Sequence, residues 1–381
     1  MASSDQEYVQ TLRKLGFEPV QDLGSFAWVP SKCERKSIQA CTKEDVLEAT
    51  VFDPEIPQIS DLRQLNLHRL PQVFATEALP PQIKPQAFPH VTPRVLGLFL
   101  AKTKGIDLDK VDFSFGGSTL EVLLKRDISN VSYGPRGVRI PQEDYCYRVQ
   151  KVAGVICVSK CDNYVKDYSD SGFQFERLVT GGEFRDRHDE SHNGTEHVQL
   201  LEFCGRETND HVSGVDGADF CPFQILFTTD ADAKTGKNAA GKKDERDDLV
   251  EIKSGNPANF GRKLVLQMLS SGARQLVYAD KRSRNEVSQV KTLYYPDVVC
   301  RFLRAGEKQG MVTDLSAALT ELREAAADIP DCLYGSEGEC VAFDLTFDTR
   351  DPKKPMRLVP AKKYADCSLS PKEVLRGLLE D

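Results

Sequence analysis

The 381-residue chain carries 50 lysines and arginines against 58 aspartates and glutamates, a formal net charge of −8, with 40% hydrophobic and 28% charged residues. Those proportions fit a folded, water-soluble globular chain and exclude collagen-like, coiled-coil and disordered compositions, while the length excludes a disulfide-stapled miniprotein. The acidic balance argues against a histone-like grip on nucleic acid, leaves room for a local basic channel, and suits an enzyme that holds cations.

In chain order, the start MASSDQEYVQTL has no basic-then-apolar leader pattern. The first hundred residues, with turn signals at Leu79-Pro80-Pro81 and from Pro85 to Pro93, read as an irregular arm lying on the core. The longest apolar run, Val95 to Ala101, is far short of the ~20 residues that cross a bilayer. From Val111 the pattern turns regular. Val111, Phe113 and Phe115 alternate with Asp112 and Ser114 as in a half-buried strand, a Gly116-Gly117 break follows, and Ser118 with Glu121 forms an S-x-x-E capping box opening a helix. Strands are expected at 145–158, 198–204, 222–232, 249–253, 290–301 and 341–347. Helices are expected at 257–271, 314–327 and 371–379, the last with Ser370 and Glu373 as a second capping box. The fold class is α+β in a single domain, with a core at 110–300 and C-terminal helices and a strand at 301–381. Within the core, residues 233–247 make one long polar connector.

The chemistry concentrates around that connector. Asp230 and Asp232 are two apart, which on a strand sets them on one face; Glu251 and Lys253 share a face on the next strand while Val250 and Ile252 point away. Three carboxylates in a partly buried place repel one another unless a cation sits among them. A hard divalent ion does so with carboxylate and carbonyl oxygens, and a lysine beside it neutralises a transferring phosphate. Asp232, eighteen residues, then Glu251-Ile252-Lys253 is the D…E-x-K order of a metal-dependent nuclease. A solvated hairpin with an incidental ion pair fits the same spacing, because acid-x-Lys also occurs at Glu34-Arg35-Lys36, Asp232-Ala233-Lys234 and Asp351-Pro352-Lys353. Glu176, after Gly172, Phe173 and Phe175, is either a further ligand beside an apolar anchor or an exposed glutamate. Gln267 falls on the inward stripe of Phe260, Leu264, Met268 and Ser271, where its amide needs a phosphate, a water or a backbone carbonyl as partner.

G-F-Q-F-E (Gly172 to Glu176), D-A-D (Asp230 to Asp232), E-I-K (Glu251 to Lys253) and Gln267, in this order, resemble the motifs of the DXO family of RNA 5′-end decapping exoribonucleases. The resemblance covers about residues 110–300. It implies a mixed two-sheet α+β core with flanking helices and a Mg2+- or Mn2+-dependent pocket that removes incomplete, triphosphate or NAD 5′ ends and then degrades RNA from the 5′ end. It implies Glu176, Asp230, Asp232 and Glu251 as metal ligands together with the Ile252 carbonyl, and Lys253 and Gln267 on the scissile phosphate, with Asp232, Glu251 and Lys253 catalytic. Asp230 stands where the family has glutamate. The larger departure is Phe115-Gly116-Gly117-Ser118, where the family has an arginine before its helix; the backbone of Gly116 and Gly117 is the substitute candidate for anion binding. The alternative is a weakly active or inactive member that binds RNA 5′ ends or a 5′–3′ exoribonuclease. The chain is expected as a nuclear or cytoplasmic monomer, neither secreted nor membrane-bound.

Other signals weigh less. The eleven cysteines, odd in number and without a C-x-x-C pair, read as free thiols. His188, His192 and His197 lack the helical frame of a zinc site, since Asn193-Gly194 breaks it. Lys281-Arg282-Ser283-Arg284 with Arg262, Lys263 and Arg274 marks either an RNA path or a solvated face. Tyr294 and Tyr295 can stack a base or fill the core.

Overall fold

The computed structural model describes residues 4–28, 42–59, 93–128, 131–133, 139–141, 145–162, 175–176, 178–180, 195–205, 222–235, 248–255, 259–281, 287–334, 342–348, 350–361 and 372–380. In chain order the elements are α1 (Ser4–Lys14), β1 (Phe17–Trp28), α2 (Lys43–Glu48), β2 (Thr50–Phe52), α3 (Pro93–Thr103), a 3-10 turn (Leu108–Lys110), β3 (Phe113–Phe115), α4 (Thr119–Lys125), β4 (Val131–Tyr133), β5 (Arg139–Pro141), β6 (Tyr145–Val152), β7 (Val155–Asp162), β8 (Thr195–Phe203) and β9 (Phe223–Asp230). They continue with β10 (Ala233–Lys234), β11 (Leu249–Gly255), α5 (Arg262–Ser271), β12 (Gln275–Lys281), β13 (Val287–Tyr294), α6 (Tyr295–Phe302), α7 (Ala305–Ala325), β14 (Phe343–Phe347), β15 (Met356–Pro360) and α8 (Lys372–Leu379). This is an α+β fold. Among the described residues no helix is long and apolar enough to cross a membrane.

A nine-stranded sheet runs β15-β14-β6-β7-β3-β9-β8-β1-β2, and a four-stranded sheet runs β10-β11-β12-β13. β3 is parallel to both β7 and β9. Alternation along β9 splits the core: Phe223, Ile225 and Phe227 face a layer holding Leu266 and Leu269 of α5, Val298 of α6 and Leu315 and Leu319 of α7, while Leu226 faces Leu96 and Leu100 of α3 and Leu375 of α8. A third apolar cluster fills the small sheet, where Val250, Ile252, Val277 and Ala279 meet Phe175 and Val179. α3 lies close on β9 because Gly97 has no Cβ, which would meet the Thr228 hydroxyl.

Several expectations are corrected. Residues 4–28 are not an irregular arm: α1 buries Tyr8 and Leu12, and β1 pairs with β8 inside the large sheet. The 145–158 strand is a hairpin, β6–β7, turned at Ala153 (φ 51°) and Gly154 (φ 80°), the two positive φ values that a two-residue hairpin turn requires. The 290–301 strand stops at Tyr294, where Pro296 in the first turn opens α6 with Tyr295, Val298 and Val299 buried at helical spacing. Tyr295 is thus core, while Tyr294 is exposed. α7 starts nine residues before the expected Asp314, across Gly306 and Gly310, whose low propensity hid it. α5 starts at Arg262 rather than Pro257. Ser118 makes no capping bond; its hydroxyl accepts from Tyr147, and Thr119 Oγ1 accepts from the Gly116 N–H at 3.3 Å instead. Ser370 and Pro371 lie outside the described residues.

Candidate active site

The motif acids sit where the chain leaves one sheet for the other. β9 ends at Asp230, the Ala231 N–H donates to the Thr195 carbonyl at 2.8 Å, and β10 then pairs with β11 through Ala233–Val250 and Lys234–Leu249. The hairpin is therefore β10–β11, and the expected single strand through Asp232 breaks at Ala231, so Asp230 and Asp232 do not share one strand face. Asp230 is exposed and Asp232 half-buried. The Ile252 N–H donates to Asp232 Oδ2 at 2.8 Å, which fixes that carboxylate against β11.

Glu251 and Lys253 lie on β11 with Val250 and Ile252 buried in the opposite direction, as the alternation requires. Glu251 is only 3% exposed. Its carboxylate forms an ion pair with Lys253 Nζ, which also lies 3.9 Å from Asp232 Oδ2. Burial pushes the Glu251 carboxyl up to about 7; Lys253 opposes this and the nearby charges of Asp232 and Asp230 add to it. Burial weighs against the Lys253 ammonium, yet Glu251, Asp232 and Glu176 together hold its pKa well above the usual lysine range.

Phe175 anchors Glu176 in the small-sheet core, and the half-buried Glu176 carboxylate acts on Lys253. Gly172, Phe173 and Gln174 lie outside the described residues. Three carboxylates, Glu251, Asp232 and Glu176, thus act on one ammonium, and Asp230 adds its charge at Glu251. The donors are hard oxygens with excess negative charge, so their chemistry fits a divalent cation. Among the described residues, however, no three His, Cys, Asp or Glu side chains converge closely enough to hold an ion as they stand, the Lys253 ammonium lying between Glu251 and Asp232.

Gln267 is half-buried on α5 rather than fully inward, and its backbone carbonyl accepts from Ser270 Oγ at 2.9 Å. The single Ser270 hydroxyl proton is shared with the Gly117 carbonyl at 3.3 Å, which sets α5 beside the glycine turn, while the Thr229 hydroxyl donates to the Ser270 carbonyl at 3.4 Å.

The structure supplies a guanidinium at this turn that the sequence pattern did not show. Arg94, in the first turn of the buried helix α3, donates through Nη1 to the carbonyls of Phe115, the last residue of β3, and Thr228, two residues before the end of β9. A Cβ on Gly116 would stand 3.2 Å from that Nη1, so the glycine makes room for the guanidinium. Burial lowers the Arg94 pKa, and Glu196, Cys157 and Asp230 work against the fall. Glu196 faces Asp230 directly across β8–β9. Neither Arg94 nor Glu196 was singled out from sequence, because 134 residues separate Arg94 from Thr228 and no local period links them.

Arg274 pairs with Asp5 and Asp248 and stacks on Tyr8. Arg262 pairs with Glu121 at 3.1 Å. His197 is buried on β8, its pKa lowered by burial, with Asp22 at 3.6 Å; His188, His192 and residues 282–284 lie outside the described residues. Cys146, Cys157, Cys204, Cys300 and Cys332 are free thiols.

No protein-family model matches the sequence, and no curated protein does. Solved structures do match. The crystal structure of Scheffersomyces stipitis Rai1 in complex with (3′-NADP)+ and calcium ion is 11% identical over 96% of this chain and 98% of that one, with a TM-score of 0.52. A second S. stipitis Rai1 structure is likewise 11% identical over 95% and 98% of the two chains, with a TM-score of 0.51. At that identity the likeness is one of architecture, and the chain has the α+β fold of Rai1.

Proposed function

We propose that the chain is a metal-dependent hydrolase of RNA 5′ ends that removes incomplete, NAD or triphosphate ends, with 5′-to-3′ exoribonuclease action at the same site. The observation that carries this is the excess of carboxylate over ammonium at the sheet seam, in a fold shared with a protein crystallised with (3′-NADP)+ and calcium ion. Asp232, Glu251 and Glu176, with Asp230 and the Ile252 carbonyl beside them, are assigned to hold Mg2+ or Mn2+. A divalent cation there supplies Lewis-acid polarisation of a phosphoryl oxygen. Lys253 offers its ammonium to the charge that develops on the transferring phosphate. Asp232 keeps its orientation through the Ile252 N–H. Gln267 and the Gly116-Gly117 turn are assigned to substrate contact, which is supported by the Ser270 hydroxyl that joins the turn to α5.

The test is incubation with Mg2+ or Mn2+ and RNAs bearing 5′-monophosphate, triphosphate, NAD and methylated or unmethylated guanosine caps, beside a Glu251→Gln control. Product from wild type and none from the variant is the expected result. One observation favours a second reading as a binder without turnover: Lys253 bridges the acids that a metal needs. Retained RNA affinity with no product from any substrate would establish that reading and sink the hydrolase.

A further inference from the structure

Three described tyrosines, Tyr147, Tyr278 and Tyr295, are 0% exposed. A phenol taken out of water needs a hydrogen-bond partner, and two of them have one: Tyr147 donates to Ser118 Oγ at 2.8 Å and Tyr295 to the Val265 carbonyl at 3.3 Å. The Tyr278 hydroxyl has none among the described residues. Packing accounts for its ring, which Phe260 meets edge-on at 5.7 Å and 82°. It does not account for the oxygen, since a phenylalanine would fill the same place without burying an unpaired hydroxyl.

The register of the small sheet says what lies beside that oxygen. β11 and β12 run parallel, with Glu251 opposite Leu276 and Lys253 opposite Tyr278, and such partners project from one face of a sheet on strands roughly 4.8 Å apart. Leu276 and Tyr278 belong to the large core cluster with Leu264 and Leu266, so this face is the one turned to α5. Lys253 thus stands between two kinds of oxygen. On its own strand and just before β10 are Glu251 and Asp232, which hold its ammonium in the protein as it stands. On the other side, toward β12, is the phenol oxygen. The two carboxylates cannot serve an ammonium and a divalent cation alike, and an ammonium whose side chain is only 30% exposed needs an acceptor wherever it moves.

We propose that Tyr278 is a positioning residue for Lys253: when a divalent cation occupies Glu251 and Asp232, the displaced ammonium donates to the Tyr278 hydroxyl oxygen and is held beside the site. One of its three N–H donors goes to the phenol, which leaves two for a phosphate. The inference rests on the reading of these acids as a cation site and deepens it, giving the lysine a second station on the strand opposite. It also explains why the phenol is unpaired in the protein without a cation, where Glu251 and Asp232 hold the lysine.

The experiment compares the full chain with its Tyr278→Phe variant by thermal melts in metal-free buffer and by calorimetric titration with Mn2+. Without metal the variant loses only an unpaired hydroxyl, so its melting temperature is expected to equal or exceed that of wild type. Its Mn2+ affinity is expected to fall about tenfold, the loss of one hydrogen bond to a charged group. In a Lys253→Met background there is no ammonium to rehouse, and Tyr278→Phe should leave Mn2+ affinity unchanged. A phenol with a merely structural role would lower the metal-free melting temperature when removed and would act alike in both backgrounds, so either result overturns the proposal. Equal Mn2+ affinity of wild type and Tyr278→Phe overturns it as well, and leaves the cation site standing. Wild type that takes up no Mn2+ overturns the reading of the acids as a cation site, and the role of Tyr278 with it.

Discussion

Two clusters of charge flank Ala231, and they handle burial in opposite ways. On the large sheet, Arg94 directs its planar donors at two backbone carbonyls, with Glu196 and Asp230 balancing it through space. On the small sheet, Lys253 is a point charge that meets the carboxylates of Glu251 and Asp232. A guanidinium committed to two strand carbonyls is a brace, since moving it strands them. An ammonium among carboxylates gives up no backbone bond when a ligand takes its place. The seam therefore joins a rigid half, which sets the distance between the glycine turn and the end of β9, to an exchangeable half, where chemistry can occur.

The comparison breaks most sharply at Arg94. Arg94→Met leaves the Phe115 and Thr228 carbonyls without this donor, and is expected to lose about 3–5 kcal/mol in denaturant unfolding. Arg94→Lys keeps the charge but cannot bridge two carbonyls, and falls in between. A loss under about 1 kcal/mol for Arg94→Met, the scale of an exposed ion pair, would deny the brace.

At the other half the sign reverses. The native state holds the Glu251 carboxyl up to about 7, against about 4.3 for an unfolded glutamate. The folded form therefore binds this proton more tightly. The resulting stability is whole below about 4.3 and is lost as pH rises through about 7. Glu251→Gln has no such term, so in metal-free buffer its stability relative to wild type is expected to rise by roughly 1–3 kcal/mol across that window and to stay level above it. Thermal melts of both proteins at half-unit pH steps check this. Parallel curves would mean that Glu251 is not a buried acid crowded by like charge.

The two halves were unequally legible in the sequence. The acids and lysine of the exchangeable half stand in short strings, D-A-D and E-I-K, and strand alternation correctly sent Val250 and Ile252 to the core. It misplaced Asp232 because β9 and β11 belong to different sheets, a topological fact that no period of two encodes. The brace was invisible. Arg94 lies at the end of a proline-rich stretch that reads as loop, and its partners are carbonyls, which every residue has. Ala153-Gly154 hid a hairpin for a related reason: alanine rarely takes positive φ, so it gives no turn signal, and the pairing of β6 with β7 imposes the turn. Local chemistry is readable where residue types are distinctive, whereas long-range contacts made to backbone leave no mark.

The smallest effect sharpens the boundary of the brace by comparing two adjacent glycines, neither with a positive φ. A Cβ at Gly116 stands 3.2 Å from Arg94 Nη1 and 3.4 Å from its Cζ, on a guanidinium that two carbonyls hold in place, so the group cannot yield without weakening those bonds. At Gly117 the nearest atoms are Ser270 Oγ and a Thr229 methyl at 3.5 Å, an ordinary contact distance. Gly116→Ala is therefore expected to cost about 1 kcal/mol, the low end of overpacking, and Gly117→Ala to stay within about 0.5 kcal/mol of wild type. In an Arg94→Met background the guanidinium is gone, so the Gly116→Ala penalty should shrink toward that of Gly117→Ala, a coupling that the double-mutant cycle reads directly. Equal penalties for the two alanines in the wild-type background, or no coupling to Arg94, would show that the space at residue 116 is not filled by the brace.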